Sequence, residues 1–149
     1  MRARDLAWPC TPVHPDVRLE DATKLLVRER APALVVVSED GHPLTVVPAA
    51  QVLTAALPEL VRRDPLFATV VGESLDEVVR SRAAALRIVD VLPRRPATPA
   101  VVSPDASPLY VASLMERTGS PVVLVVDYDD DHPHLLGIVD AATLLQYYL

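Results

Sequence analysis

Some segments of the chain have apolar residues at helical spacing and others are short continuous apolar runs, and the two kinds of segment come in a fixed order. Apolar residues at Leu19, Ala22 and Leu25 share one face of a predicted helix. A continuous run of Leu and Val over 34–37 follows, as is typical of a strand buried on both faces. After a polar turn, a second apolar run over 44–47 leads into another predicted helix. The first half of the chain is therefore predicted to be a unit of mixed helices and strands.

The same order of elements recurs in the second half of the chain. The helical spacing and the Val-rich run return over 109–126, and corresponding positions lie 89 residues apart at Pro15 and Pro104. The separation drifts only to 92 residues at Thr45 and Gly137. Because the correspondence keeps its order along the chain, we interpret it as an internal repeat and not as chance similarity between two aliphatic segments.

Residues 58–87 lie between the two copies and lack the Gly and Ser richness of a flexible linker. Ser74 precedes two acidic residues in a capping pattern, which predicts a helix from this point to about Leu86. The sequence is therefore divided into unit 1 over 1–57, a helical connector over 58–87, and unit 2 over 88–149.

Composition narrows the partners that the protein can have. Half of the 149 residues are apolar and only 4% are aromatic, so the core must be aliphatic. The net charge of −6 disfavours nucleic acid and anionic membrane surfaces, which attract basic proteins. No apolar run approaches the length of a bilayer span, and no signal peptide is recognised. The single cysteine, Cys10, can form no intrachain disulfide, so we expect a cytoplasmic protein. From the charge and the short apolar runs, we expect no nucleic-acid or membrane partner.

Few residues suggest catalysis or metal binding. The chain has no glycine-rich phosphate loop and no nucleophile elbow, and no base is spaced to activate Cys10. The segment 127–134 combines four aspartates with two histidines, which could ligate a divalent cation. It contains Pro133 and lacks the glycine that a calcium loop needs for its sharp turn. We therefore interpret it as a solvated hairpin loop, and predict no metal site, no catalytic residue and no enzymatic activity.

The two copies carry short motifs that resemble one known family. They are Val13-His14-Pro15-Asp16 ahead of the first helix and Val102-Ser103-Pro104-Asp105 ahead of its repeat. Together with the Val-rich runs, they make the chain resemble a tandem cystathionine-β-synthase-type (CBS) domain pair, or Bateman module, over nearly its whole length. The resemblance implies an α+β fold of two βαββα units, packed sheet to sheet with pseudo-two-fold symmetry. It also implies a homodimer, and two clefts between the units that most often bind adenine nucleotides.

The resemblance further implies which positions contact a ligand. These are the residues before the first strand, the buried strand, and a motif entering the last helix, in which a hydroxyl residue meets the phosphate and an acid holds the ribose. Both copies depart from the motif, because Pro48 and Asp140 replace the hydroxyl residue, and Gln51 and Thr143 replace the acid. Gln51 can still donate and accept hydrogen bonds, whereas the charge of Asp140 would repel a phosphate.

Gly137 keeps the motif glycine, and an absent side chain allows close approach to the backbone. The cleft beside Gly137 is therefore the better candidate for the phosphate side of a ligand, although Asp140 counts against it. The candidate ligand-binding residues are Pro12, Val13, Val35, Pro48, Gln51, Val101, Val102, Leu124, Gly137, Asp140 and Thr143.

The resemblance implies a regulatory function. We expect a stand-alone CBS pair that senses AMP, ADP, ATP, another adenosyl ligand or a related small anionic metabolite, and that signals to an unidentified protein partner. The alternative is a structural or dimerisation scaffold whose clefts no longer bind a ligand. Apolar residues on the last helix of each copy predict a homodimer, with Leu53, Leu57, Leu144 and Tyr148 near its interface.

Overall fold

The computed structural model describes residues 1–149, and its helices and strands follow the order that the sequence predicts. The helices are α1 (Ala3–Leu6), α2 (Leu19–Glu29), α3 (Ala49–Ala56), α4 (Glu59–Arg63), α5 (Pro65–Val71), α6 (Asp76–Ala85), α7 (Ile88–Val91), α8 (Pro108–Thr118) and α9 (Ala141–Tyr148), with a 3₁₀ turn at Gly72–Leu75. The strands are β1 (Ala33–Val37), β2 (Pro43–Pro48), β3 (Val101–Val102), β4 (Val122–Asp129) and β5 (His132–Asp140). No helix combines the length and the apolar character that crossing a membrane would need.

Each unit is built on an antiparallel hairpin with a parallel strand beside it. In unit 2, β3 runs parallel to β4, and β4 pairs antiparallel with β5. In unit 1, β1 and β2 form the hairpin, and the parallel strand is reduced to a single bridge between Val13 and Val36. One helix precedes each hairpin and one follows it, so both units are βαββα and the predicted α+β fold is confirmed.

The protein has three aliphatic cores, one under the helices of each unit and one between the two sheets. Leu34 and Val36 of β1 lie in the core that the helices of unit 1 cover, and Val123 of β4 lies in the matching core of unit 2. The intervening residues, among them Val35 and Leu124, form a third core that joins the two sheets. The Val-rich strands are therefore buried on both faces, as predicted, because each lies between its own helices and the other sheet.

The short helices α1 and α7 exchange places between the units. Helix α7 is the first helix of unit 2 but packs on unit 1, where Arg87 Nη1 donates to the carbonyl oxygen of Asp16 at 2.6 Å. Helix α1 is the first helix of unit 1 but packs on unit 2, where Arg2 Nη1 donates to the carbonyl oxygen of Asp105 at 2.8 Å. Asp16 and Asp105 are corresponding positions, so the two contacts display the pseudo-two-fold symmetry. The boundaries at 57 and 87 stay a prediction, since packing carries each leading helix across to the other unit.

The connector is helical, and its last helix is its best-packed part. Helix α6 ends at Ala85, close to the predicted end, and its Val79 and Ala83 pack against the core of unit 1. Ser74 does not cap this helix, because its hydroxyl donates to the carbonyl oxygen of Val71. Helix α6 has no fully buried residue either, but no residue of α4 or α5 packs against a core, so these two helices are held less firmly.

The acidic segment 127–134 is a strand hairpin and not an extended loop. Strand β4 continues to Asp129 and β5 begins at His132, so only Asp130 and Asp131 form the turn, with positive φ angles of 47° and 67°. Two consecutive positive φ angles are typical of the type I′ turn, which matches the twist of the flanking strands. The structure brings together no group of three or more His, Cys, Asp or Glu side chains that could hold a metal ion.

Candidate functional site

An open cleft lies where the end of β2 and the start of α3 meet the segment that leads into β3. It is a cavity of about 220 Å³ whose walls come from both units. Hydroxyl and amide groups line it, and no charged side chain does, so a ligand held here would be recognised by hydrogen bonds and shape. The lining residues are Thr45, Val46, Pro48, Gln51, Ala97, Thr98, Pro99, Thr118, Gly119, Ser120 and Pro121.

Thr45 sets the distance between two walls of this cleft. The residue is 4% exposed, and its hydroxyl donates to the carbonyl oxygen of Ala97 at 2.9 Å. The hydrogen bond joins the units, because Thr45 belongs to β2 and Ala97 leads into β3. Ala97 makes no backbone bridge to β2, so the segment lies beside the strand without extending the sheet.

The turn after α8 forms another wall, and its polar groups are largely satisfied within the chain. The hydroxyl of Thr118 donates to the carbonyl oxygen of Leu114 at 2.7 Å, and that of Ser120 donates to Val122 O at 2.7 Å. Gln51 is exposed at the rim, and its side-chain amide makes no hydrogen bond within the chain. The Gln51 side chain therefore has its amide donors and its acceptor free for a ligand.

The corresponding position in the other copy is closed by a backbone contact. Gly137 stands where Thr45 does, and Trp8 stands where Ala97 does. Trp8 forms an antiparallel bridge to Ile138, with both N–H···O distances at 3.0 Å. A Cβ on Gly137 would lie 2.8 Å from the carbonyl carbon of Trp8 and closer still to its oxygen. The expectation that Gly137 leaves room for a ligand is therefore wrong, because the Trp8 backbone takes that space.

Asp140 and Thr143 are occupied with each other. One carboxylate oxygen of Asp140 accepts hydrogen bonds from the Thr143 amide at 2.9 Å and from the Thr143 hydroxyl at 2.7 Å. The first of these caps α9, whereas Pro48 begins α3 with no side-chain cap. The departure of Asp140 from the family motif thus has a structural reason, since aspartate is among the strongest N-cap residues.

The structure brings only some of the predicted ligand-binding residues to one place. Pro48 and Gln51 lie together at the open cleft. Four others are buried in the cores, namely Val13, Val35, Val102 and Leu124, so their side chains serve packing. Pro12 is exposed and lines no part of the open cleft, and Val101 lies within β3 instead of before it.

Sequence reasoning missed the residues that precede the strands. Thr98 and Pro99 line the cleft just ahead of β3, and Thr118 and Ser120 line it ahead of β4. Their signal in the sequence is a stretch rich in Pro and Thr before each Val-rich run. Because β3 begins at Val101, the residues that line the cleft lie two to four positions earlier than the motif alone indicated.

Cys10 is partly buried beside the core between the sheets. Burial, and to a lesser degree the charge of Glu29, raises the pKa of its thiol from 9.0 to about 11. The Glu29 carboxylate also accepts a hydrogen bond from the backbone N–H of Thr11 at 3.1 Å, which holds it near the thiol. A thiol with a raised pKa stays protonated at neutral pH and is a poor nucleophile.

Comparison with known proteins agrees with this architecture. The family model described as the CBS domain matches residues 89–149. A CBS domain-containing protein of unknown function from Kribbella flavida has a crystal structure that is 32% identical over 100% of both chains, with a TM-score of 0.80. CBSX2 from Arabidopsis thaliana, in complex with AMP, is 21% identical over 99% of this chain and 95% of that one, with a TM-score of 0.65.

A third structure has the same fold at lower identity. The CBS domain pair of protein MJ0100, in complex with 5′-methylthioadenosine and S-adenosyl-L-methionine, is 17% identical over 100% of both chains, with a TM-score of 0.66. No curated protein matches the sequence. The likeness to CBSX2 and MJ0100 shows the fold alone, whereas the Kribbella protein matches in sequence along its entire length. The chain therefore belongs to the family of CBS-domain proteins, and it is a tandem pair of such domains.

Proposed function

We propose that this CBS pair is a regulatory module that binds an adenosyl compound, such as AMP, ADP or ATP, in the open cleft between its units. The observation that carries the proposal is the uncharged polar cavity around Thr45, Pro48 and Gln51. Such a surface suits a base and a ribose, which are neutral and rich in hydrogen-bond donors and acceptors. The solved complexes of CBSX2 with AMP and of MJ0100 with two adenosyl compounds support this class of ligand.

Gln51 is the residue that we expect to hold the ribose or the edge of the base. An acid at this position would accept hydrogen bonds from both hydroxyls of a ribose diol. The amide of Gln51 can accept a hydrogen bond from one group and donate a hydrogen bond to another. The cavity of about 220 Å³ is smaller than the roughly 300–1,000 Å³ of typical small-molecule sites. We therefore expect it to hold the adenosyl part of a nucleotide and to leave the remainder outside.

A regulatory role suits the site better than a catalytic one. The open cleft contains no titratable side chain that could move a proton, and the Cys10 thiol has a raised pKa. A ligand that bridges both units instead changes how firmly they are held together, which another protein can sense. We therefore propose that the output passes to a protein partner, and the single free cysteine favours the cytoplasm as the compartment.

The alternative function is a scaffold without a ligand. The observation that favours it is the second cleft, where Trp8 lies against Gly137, and Asp140 and Thr143 bond to each other. One of the two positions at which the family binds nucleotides is thus closed within the chain. If the open cleft also binds nothing, assembly with other proteins is the function that remains.

Thermal unfolding in the presence of adenosine, AMP, ADP, ATP and S-adenosylmethionine tests the proposal. A ligand at a hundred times its dissociation constant should stabilise the fold by about 2.7 kcal/mol. Gln51→Ala should abolish most of the stabilisation, whereas Gln146→Ala, the same change on exposed α9, should preserve it. If none of these compounds raises the melting temperature of the wild-type protein, the scaffold function replaces the proposal.

A further inference from the structure

Two more cavities continue from the open cleft along α3, and arginines of the connector line both. The first measures about 260 Å³ and is lined by Gln51 and Thr54 of α3, with Arg62 and Arg82 facing them. The second measures about 480 Å³ and is lined by the same two arginines together with Arg63. Gln51 also lines the open cleft, and Arg62 and Arg82 line both further cavities, so the three cavities are neighbours on the surface.

The two arginines shared by these cavities have no acidic partner. Arg62 forms no ion pair, and Arg82 donates only a long hydrogen bond of 3.5 Å to the carbonyl oxygen of Ala55. Arg63, by contrast, pairs with Glu59 at 2.8 Å. Asp90 is the acid that lines the smaller cavity, and its carboxylate accepts a hydrogen bond from the backbone N–H of Arg87 at 2.8 Å.

Unpaired arginines beside a polar cleft are a recognition feature for phosphate. A guanidinium presents several N–H donors in a planar fork that matches phosphate oxygens, and it keeps its charge at any physiological pH. The open cleft has no cation of its own, and Arg62 and Arg82 supply positive charge in the cavity beside it. They lie beside Thr54 and Ala55, one helical turn or about 5.4 Å beyond Gln51.

We propose that the ligand of this protein carries two or more phosphates, which run along α3 from Gln51 to Arg62 and Arg82. The inference rests on the proposed function, since the cleft must first hold the adenosyl group. It selects ADP and ATP over adenosine, and also over S-adenosylmethionine, whose sulfonium is positively charged. Helix α4, which buries no residue, would be tied to α3 through Arg62 when the polyphosphate binds.

Calorimetric titration of the whole chain with adenosine, AMP, ADP and ATP tests this inference. ATP should bind at least about tenfold more tightly than adenosine, and Arg62→Ala and Arg82→Ala should each lose about tenfold of the ATP affinity. Neither change should move adenosine affinity by more than about twofold. Arg80→Ala is the matched control, because Arg80 also lies on α6 but faces a different groove and pairs with Glu77. Equal affinity for adenosine and ATP, or unchanged ATP affinity in both variants, overturns the inference.

Two further measurements separate this inference from the proposed function. Titration with inorganic tripolyphosphate tests the arginines alone. If the wild type binds tripolyphosphate, both variants weaken that binding, and neither adenosine nor ATP binds, then the arginine site stands and the adenosyl site is refuted. If the wild type binds adenosine and ATP with equal affinity, the adenosyl site stands and the arginine site is refuted. Should a variant fold poorly, the salt dependence of ATP binding to the wild type tests the inference instead. Contacts to charged phosphates must weaken as the salt concentration rises. An ATP affinity that does not change with salt overturns the inference.

Discussion

The hydroxyl of Thr45 lies 2.9 Å from the carbonyl oxygen of Ala97, and this hydrogen bond replaces the backbone bridge that Trp8 makes beside Gly137 in the other copy. The positions correspond under the pseudo-symmetry of the repeat. A threonine side chain keeps the two backbones apart, and a glycine lets them meet. The difference between an open and a closed cleft thus begins at one residue in each copy.

Gly137→Ala should lower the free energy of unfolding by about 1–3 kcal/mol, because the new methyl group would overlap the Trp8 backbone. Urea denaturation followed by circular dichroism measures the change. Thr45→Ala, at the corresponding position, should cost about 1–2 kcal/mol for a different reason, since it leaves the Ala97 carbonyl without its partner. A Gly137→Ala variant as stable as the wild type would show that the closed cleft can open to admit a side chain.

The thiol of Cys10 should react slowly with iodoacetamide at neutral pH, and its rate should rise with pH toward a midpoint of about 11. In the denatured chain the midpoint should return to the ordinary value of 9.0. Glu29→Gln should lower the native midpoint, because one negative charge that raises the pKa is removed. The native state holds this proton more tightly than the unfolded state, so stability should fall as pH rises between 9.0 and about 11. A native midpoint at or below that of the denatured chain contradicts the burial of the thiol.

Local patterns in the sequence determine most of the fold. The Val-rich runs predict strands buried on both faces, and the structure places both between helices and the other sheet. The capping pattern after Gly72 predicts a helix that the structure begins at Asp76, although Ser74 bonds elsewhere. Such predictions succeed because they depend on residues a few positions apart.

The site depends on contacts that local patterns do not encode. The bond from Thr45 to Ala97 joins residues 52 positions apart, and the bridge from Trp8 to Ile138 spans nearly the whole chain. The family motif indicates which end of α3 faces the cleft, but it does not say which backbone covers each copy. Gly137 therefore suggests an open site in sequence and forms a closed one in structure.

Asp131→Gly should raise the free energy of unfolding by roughly 0.5–1 kcal/mol. Asp131 has a φ angle of 67°, which glycine adopts without steric cost and other residues do not. Thermal denaturation measures the gain, and Asp129→Gly, in the adjoining strand, should be destabilising because glycine weakens strands. Titration of both variants and the wild type with calcium, manganese and zinc should give no one-to-one binding, in keeping with a solvated hairpin. A loss of stability on Asp131→Gly would mean that the aspartate side chain itself stabilises the turn.

The helical faces of the two units have matching apolar surfaces. Leu53 of α3 is 62% exposed, and Leu145, its counterpart on α9, is 58% exposed. Each borders an apolar groove, of about 400 Å³ between α2, α3 and α6 in unit 1 and of about 360 Å³ between α8 and α9 in unit 2. Of the residues predicted near a dimer interface, Leu144 is only 5% exposed and belongs to the core, so we expect the adjacent Leu145 to make the contact instead. Leu57 lines the arginine cavity instead.

Two such faces related by pseudo-symmetry allow a second copy of the chain to cover both at once, so we predict a homodimer in which Leu53, Leu145 and Tyr148 are buried. Sedimentation velocity of the wild type at high micromolar concentration should give the mass of a dimer. Combining Leu53→Glu with Leu145→Glu should give a monomer, because each charge would have to be desolvated in the interface. Leu66→Glu, at an exposed leucine of α5 outside both grooves, should leave the dimer intact. A wild type that sediments as a monomer, or a double variant that stays dimeric, would show that these faces contact something other than a second copy.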